Sequence, residues 1–513
     1  MKKEDQQLDN VFWLDGATRR DHSTISQDLT VDVAIVGAGM VGLHSAWALA
    51  DSGLSVALVE ARRIGEQATG RSTAKVTSQH GLRYAGLARD FGKEQAHLHA
   101  QENEKALRLI VSLCEKIGAD AGLEHRDAFI YTTDKAAVES LEDEAKAART
   151  AGIEALVERE IPAPINAVAS LRFPQQAQFD PFGYLQGLAG LMPDNVRIFE
   201  RSRVESIEYG EPCTVKVNGQ KIRATYVVVA TQIPIIGEGH FFAKAFPFAH
   251  AVAAAPLADD LEVDGMFISA GSPGRSFRTA KRDGRTFLIA TGSEYELGNP
   301  DAQHKSIEDL LAFLRKHFRI DEPSHLWTNE DFRPMDGTAF IGRADKRHPN
   351  LLVATGFASW GITQGAVAGD ILAAAILGQE HPASSLYDAT RLKPISSAAK
   401  FVKNNMKAGG HLIGDRFLKR KAVALEDIQP GQGGVVSGSE GHLAVSRDQS
   451  GATSVLSAVC THMGCIVDWN TTDRTWDCPC HGSRFDDSGA VLVGPATRPL
   501  EPKKLDDEEK AST

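Results

Sequence analysis

The sequence is short of cysteine, with six in 513 residues. That is too few for a secreted scaffold held together by disulfides. Positive charge is also short: 56 Lys and Arg stand against 67 Asp and Glu, for a formal net charge of -11. No basic stripe interleaved with aromatics appears, so a nucleic-acid partner is not expected. Long apolar runs are missing as well. Met1 to Asp32 is polar and acidic, without the apolar core of a signal peptide. Gly365 to Gly378 is interrupted by Asp370 and is too short to span a bilayer. The expected location is therefore cytoplasmic. There is no internal repeat. What remains is an ordinary globular composition, 42% hydrophobic and 24% charged, in a chain long enough for two or three domains.

The cysteines are unevenly placed. Cys114 and Cys213 stand alone and read as buried apolar filler. Cys460, Cys465, Cys478 and Cys480 crowd into one stretch interleaved with histidines, and that clustering asks for a chemical account.

Near the start, the apolar run Val33-Ala34-Ile35-Val36 reads as a strand. Gly37-x-Gly39-x-x-Gly42 follows, then an Ala-rich helix to about Asp51 and a second strand, Ser55 to Glu60. In this setting the first glycine makes a tight turn, the second lets backbone approach a pyrophosphate and the third lets helix pack on strand. The diphosphate then meets the N–H groups of a helix N-terminus. Glu60 ends the second strand, placed to accept hydrogen bonds from a ribose. This is a dinucleotide site. The stretch from Lys93 to Ala151 reads as mostly helical. Strand-like runs follow at Val196 to Phe199, Tyr226 to Thr231 and Leu351 to Ala354, the last leading through a glycine-punctuated loop into an apolar helix ending near Leu377. Alternating helices and strands exclude an all-α or all-β body.

The segment Ala68-Thr69-Gly70-Arg71-Ser72-Thr73-Ala74-Lys75-Val76-Thr77 resembles the D-amino-acid oxidase/glycine oxidase/sarcosine oxidase family of flavoproteins. Further pieces are similar to that family in the same order. They are Val204 in Ser202-Arg203-Val204-Glu205, the late strand Val228-Val229-Ala230-Thr231 with Gln232 where glycine is usual, and Asp336-Gly337-Thr338-Ala339-Phe340-Ile341-Gly342 with Ala339 in place of a proline. Thr355-Gly356-Phe357 and Gly361-Ile362-Thr363 resemble the loop and helix start that face the flavin. The resemblance covers most of the first 390 residues and implies FAD. Its implied cofactor contacts are Gly37, Gly39, Gly42, Glu60, Arg71, Ser72, Thr73, Val204, Gly342, Gly356, Gly361 and Thr363. In that family a hydride passes from a C–H beside an amine to the flavin, and the protein supplies position and electrostatics. The catalytic residues are not fixed by this. Arg333 is a candidate carboxylate clamp, with a surface ion pair as the alternative. Trp360 is a candidate pocket wall or a packing aromatic. His80 is a candidate neighbour of the flavin, and no residue is placed for covalent attachment.

Toward the C-terminus, Cys460-Thr461-His462-Met463-Gly464-Cys465 precedes Cys478-Pro479-Cys480-His481-Gly482-Ser483. Two loops each offering cysteine and histidine suit either a Rieske-type [2Fe–2S] centre, with two thiolates on one iron and two imidazoles on the other, or a structural zinc site. The two blocks resemble the Rieske family over roughly Leu425 to Leu500. That resemblance implies Cys460 and Cys478 on one iron, His462 and His481 on the other, and a disulfide between Cys465 and Cys480. It also implies a cluster tuned by hydrogen bonds to sulfur. Ser483 matches a serine that makes such a bond, while Phe485 stands where high-potential members carry a tyrosine. An intermediate potential is expected within the Rieske range of about -150 to +300 mV. Gly494-Pro495-Ala496 resembles the loop that covers the cluster.

The expected architecture is an α/β (α+β) FAD-binding Rossmann-type body with a substrate lobe, residues 1–390, plus a small all-β Rieske domain, residues 425–505. The nucleotide-binding segments fall at about 28–90, 195–235 and 330–380. A basic linker spans 391–424 and a disordered tail 506–513. Linker lysines and arginines with Phe401, Val402, Met406, Phe417 and Leu418 offer a peripheral membrane contact, or simply a solvated connector. A two-electron cofactor joined to a one-electron centre implies a dehydrogenase for an amine, amino acid or related small substrate, with a redox protein or quinone as acceptor. The alternatives are a peroxide-producing oxidase with a peripheral cluster and a non-catalytic redox sensor or carrier. A Rieske oxygenase would need a mononuclear iron domain after the cluster, where only a short tail follows.

Overall fold

The computed structural model describes residues 10–391, 405, 423–438 and 441–505. The basic linker falls almost wholly outside these residues, as does the 506–513 tail. Among the described residues no helix is long and apolar enough to cross a membrane.

Two large sheets make the body. The first is eight-stranded. Along its main path lie Phe340–Arg343, Leu351–Thr355, Gln220–Val229, Leu29–Val36, Val56–Val59 and Val196–Phe199. Leu29–Val36 pairs in parallel with Gln220–Val229 on one side and with Val56–Val59 on the other. Residues 33–36, 56–59 and 227–229 are buried on both faces and read as continuous aliphatic runs, whereas the outer halves of the two longer strands alternate. The helices Met40–Ala48 and Gly361–Ile376 cover one face, and both are apolar nearly all round because both are interior.

The second sheet is nine-stranded and largely antiparallel. Its main path runs His325–Pro334, Ala245–Pro256, Arg285–Tyr295, Ser276–Arg282, Met266–Ser269, Glu124–Thr132, Ala169–Gln178 and Lys75–Val76. Glu124–Thr132 corrects the sequence reading, which made Lys93 to Ala151 mostly helical. The helices Lys93–Ile117 and Val138–Thr150 are present, but a strand separates them. Gly118 and Gly122 break the helical pattern, and Ala128-Phe129-Ile130-Tyr131 is buried in the sheet.

The C-terminal part carries a three-stranded sheet, Gly433–Gly438, Gly441–Arg447 and Thr453–Ser457. A four-stranded sheet, Asp468–Asn470, Thr475–Asp477, Arg484–Phe485 and Val491–Val493, completes it. Their shared core holds Leu456, Ile466, Trp469, Trp476 and Phe485 around the four clustered cysteines.

Candidate active site and metal centre

A cavity of about 680 Å³ runs between the two large sheets. At one end, Gly37 leaves the strand Leu29–Val36 with φ +104°, and a Cβ there would lie 2.5 Å from the Ala230 carbonyl oxygen. A Cβ on Gly42 would lie 1.8 Å from the Gly37 carbonyl oxygen, so only glycine lets the helix start this close to the strand. Gly39 at the N-cap of the helix Met40–Ala48 offers no side chain to its N–H groups, and Met40 N–H makes a long bond to the Thr69 hydroxyl at 3.4 Å. Glu60 accepts from the Ala38 N–H at 2.9 Å and from the Arg62 N–H at 2.9 Å. Burial raises its pKa and those two N–H groups oppose the rise. A glycine-lined cradle at a helix start and a half-buried acid at the strand end fit an extended dinucleotide.

Gly37, Gly39, Glu60, Ser72, Thr73, Val204, Gly361 and Thr363 all line this cavity, as does Trp360. Gly42 lies beneath it and acts through packing. Three further residues expected as cofactor contacts do not line it either. Gly342 sits in the antiparallel strand Phe340–Arg343, and Gly356 turns the chain against Pro334 after Leu351–Thr355. Arg71 points away altogether. Its guanidinium pairs with Asp473 at 2.6 Å and donates to the Thr328 carbonyl at 3.0 Å. His80 is likewise outside the cavity, buried behind Trp360 with ring centroids 4.8 Å apart. It contacts the Thr77 carbonyl and His99, and burial with nearby Arg83 pulls it down to about 3. Arg333 pairs with Glu294 and packs over Phe248, about half exposed. That is the ion-pair alternative rather than a clamp inside the cavity.

The other end of the cavity holds polar groups the sequence reading did not single out. His250 lies opposite Glu294 on one neighbouring strand and Asn329 on the other. Directly opposed residues share a face, so all three reach the cavity wall together. The buried Asn329 Oδ1 has no hydrogen-bond partner among the described residues. Lys75, 7% exposed, bonds Ser276 and Thr73 and forms no ion pair among the described residues. Burial, reinforced by Arg278, pulls its pKa to about 7. Burial, with Lys75 adding to it and Glu294 opposing, holds His250 near 4. Asp331 is pushed up to about 6 by burial against the N–H groups of Phe332 and Ser359. A lysine in an apolar strand and a histidine within Ala245–Pro256 were visible signals, but their convergence depends on strand pairing between distant segments.

The second site is built from two loops of similar shape. Cys460 N–H donates to the Cys465 carbonyl at 2.8 Å, and Cys478 N–H donates to the Ser483 carbonyl at 2.8 Å. Each loop turns at a left-handed glycine, Gly464 at φ +83° and Gly482 at φ +81°. The loops are joined by a Cys465–Cys480 disulfide. Cys460 and Cys478 are free, buried and in contact with each other. The His462 and His481 rings stand perpendicular with centroids 5.0 Å apart, and the buried His481 Nδ1 has no partner among the described residues. Two facing thiols and two facing imidazoles, one with an orphaned nitrogen, fit a [2Fe–2S] centre with a pair of cysteines on one iron and a pair of histidines on the other. Ser483 bonds the Cys460 sulfur and accepts from the Ala496 N–H at 3.0 Å.

The cluster loops rest on the body. Phe242 stands edge-on to both ligand rings, 5.4 Å from His462 and 5.2 Å from His481. Asp473 joins Arg71 of the body to Arg484, which also pairs with Asp477 at 2.8 Å. All four side chains are buried. Burial pushes Asp473 up, but Arg71 and Arg484 outweigh it and its carboxyl lies below the ordinary range.

A dinucleotide cleft fused to a caged pair of thiols and imidazoles defines a flavin-dependent oxidoreductase with an iron–sulfur domain. The chain belongs to the FAD-dependent oxidoreductase (DAO) family, whose model matches residues 32–375, and it carries a Rieske [2Fe–2S] domain matched over 420–504. It binds FAD and a [2Fe–2S] cluster. A Bacillus subtilis (strain 168) chain named as a Rieske 2Fe-2S iron-sulfur protein, YhfW, is 30% identical over 500 residues, covering 97% of this chain and 98% of that one. The cytochrome b6-f complex iron-sulfur subunit of Synechococcus elongatus is 43% identical over 86 residues, 17% of this chain and 40% of the subunit. Glycine oxidase from Geobacillus kaustophilus shares the fold at TM-score 0.59 and 16% identity, over 71% of this chain and all of that one. L-proline dehydrogenase from P. horikoshii does so at TM-score 0.59 and 17% identity, over 72% and 98%.

Proposed function

We propose that the chain is a dehydrogenase of an amine, amino acid or related small CH–NH or CH–OH substrate, delivering electrons singly through its Rieske cluster to a redox protein or quinone. When bound, FAD supplies two-electron hydride acceptance and the cluster supplies one-electron release. The observation that carries this reading is Phe242, a side chain of the flavoprotein body in ring contact with both His462 and His481. A peripheral cluster would not need its ligand face seated on the body.

The substrate class draws support from the cavity. Lys75 is a buried cation without an acid partner among the described residues, suited to a substrate carboxylate. The open Asn329 Oδ1 offers an acceptor to an amine N–H. Asp331, near 6, is ionised at neutral pH and able to take a proton from an ammonium group. The fold neighbours named for glycine and L-proline lend the same class. Met463, 46% exposed beside His462, presents an apolar edge of the cluster loops to an acceptor.

Turnover in air with an active substrate tests the reading. Fast reduction of an artificial one-electron acceptor with little hydrogen peroxide supports it. Peroxide formed one-for-one with consumed substrate replaces it with an oxidase, and no flavin reduction by any amine or amino acid points to a sensor.

A further inference from the structure

Leu492 and Val493 of the Rieske-domain strand Val491–Val493, with Gly494, Ala496 and Thr497 of the loop that follows it, line the large cavity of the body. Ser202, Arg203, Val204 and Ile235 of the body line the same cavity. The Arg203 guanidinium donates to the Val491 carbonyl at 2.7 Å. A Cβ on Gly494 would lie 2.9 Å from the Ile235 side chain, so loop and body touch with no room between them. The same loop is tied to the cluster, because Ala496 N–H donates to the Ser483 hydroxyl and Ser483 bonds Cys460.

A second connection enters from the other side. Arg71 belongs to the segment whose neighbours Thr69, Ser72 and Thr73 line the cavity. Its side chain is held by Asp473 of the Rieske domain, with Thr328 N–H and hydroxyl also donating to that carboxylate. Gln303 of the body reaches Asn470 at 2.6 Å alongside it. A buried pair of this kind fixes geometry more than it adds stability, and it is costly to break from one side.

We infer that the Rieske domain is a wall of the FAD site, with the 492–497 loop closing the cleft and the Arg71–Asp473 pair holding that wall in place. FAD retention and docking of the cluster domain are then one equilibrium: each favours the other by the same factor. This inference rests on FAD binding alone and is read without substrate, so it stands or falls apart from the dehydrogenase reading.

Hydrogen exchange on the full-length wild-type chain, flavin-depleted and then reloaded with FAD, is the first test. Residues 491–497 should gain protection with FAD, and equal exchange in both states overturns the inference. The second test follows FAD release by flavin fluorescence in Asp473→Asn and Leu492→Asp. The latter changes a half-buried wall residue outside the domain's own core. Release should be faster by about tenfold or more, about 1.4 kcal/mol, while the Rieske EPR signal is retained. Wild-type release rates in both variants also overturn it. If either variant fails to fold, the wild-type exchange result decides.

Discussion

Ser483 and Phe485 make the cluster's tuning testable one side chain at a time. Ser483 supplies a hydrogen bond to the Cys460 sulfur, and donors to sulfur favour the more negative, reduced cluster. Ser483→Ala should lower the midpoint potential by about 40 mV, the equivalent of about 1 kcal/mol lost between redox states for a one-electron centre. Phe485→Tyr should shift it upward. Protein-film voltammetry reads both, and an unchanged potential in Ser483→Ala would remove the serine from the account. Lys75 provides the second residue-scale prediction. Burial and Arg278 set its pKa near 7, so the side chain is a cation below about 7 and neutral above it. KM for a carboxylate substrate should therefore rise as pH passes upward through about 7. Lys75→Met should raise that KM about tenfold or more at pH 6, the scale of one lost charged hydrogen bond, and should abolish the pH dependence. A matched amine lacking the carboxylate should show neither effect.

At the scale of elements, the helix start at the dinucleotide cleft is the most constrained join in the body. Gly42→Ala would set a methyl 1.8 Å from the Gly37 carbonyl oxygen. It should cost about 1–3 kcal/mol of stability and lower the FAD content of the purified protein, read by thermal unfolding and the flavin-to-protein absorbance ratio. Wild-type FAD content would contradict the close packing. This join was legible in the sequence because strand, glycines, helix and Glu60 lie within one contiguous stretch. The cluster loops were legible for the same reason, since two short blocks carry all four candidate ligands. Glu124–Thr132 was missed because charged helical segments flank it and Glu124-His125-Arg126-Asp127 opens it without an apolar signal. His250, Glu294 and Asn329 were missed because they become neighbours only through the pairing of Ala245–Pro256 with Arg285–Tyr295 and His325–Pro334. Arg71 was read as a cofactor contact from its local segment, whereas its partner Asp473 lies some four hundred residues further on.

On the scale of the whole molecule, the flavoprotein body and the cluster domain meet through buried side-chain contacts. Phe242 touches both ligand imidazoles, and Arg71, Asp473, Arg484 and Asp477 form a buried chain of charge between the flavoprotein body and the cluster loops. In the proposed dehydrogenase, substrate oxidation at the flavin feeds the cluster within one chain. Anaerobic stopped-flow absorbance with freeze-quench EPR, run against a panel of amines and amino acids, tests it most directly. An active substrate should bleach the flavin first, and the EPR signal of the reduced Rieske cluster should then grow in the same molecules. A flavin that is fully reduced while the cluster stays oxidised would contradict it.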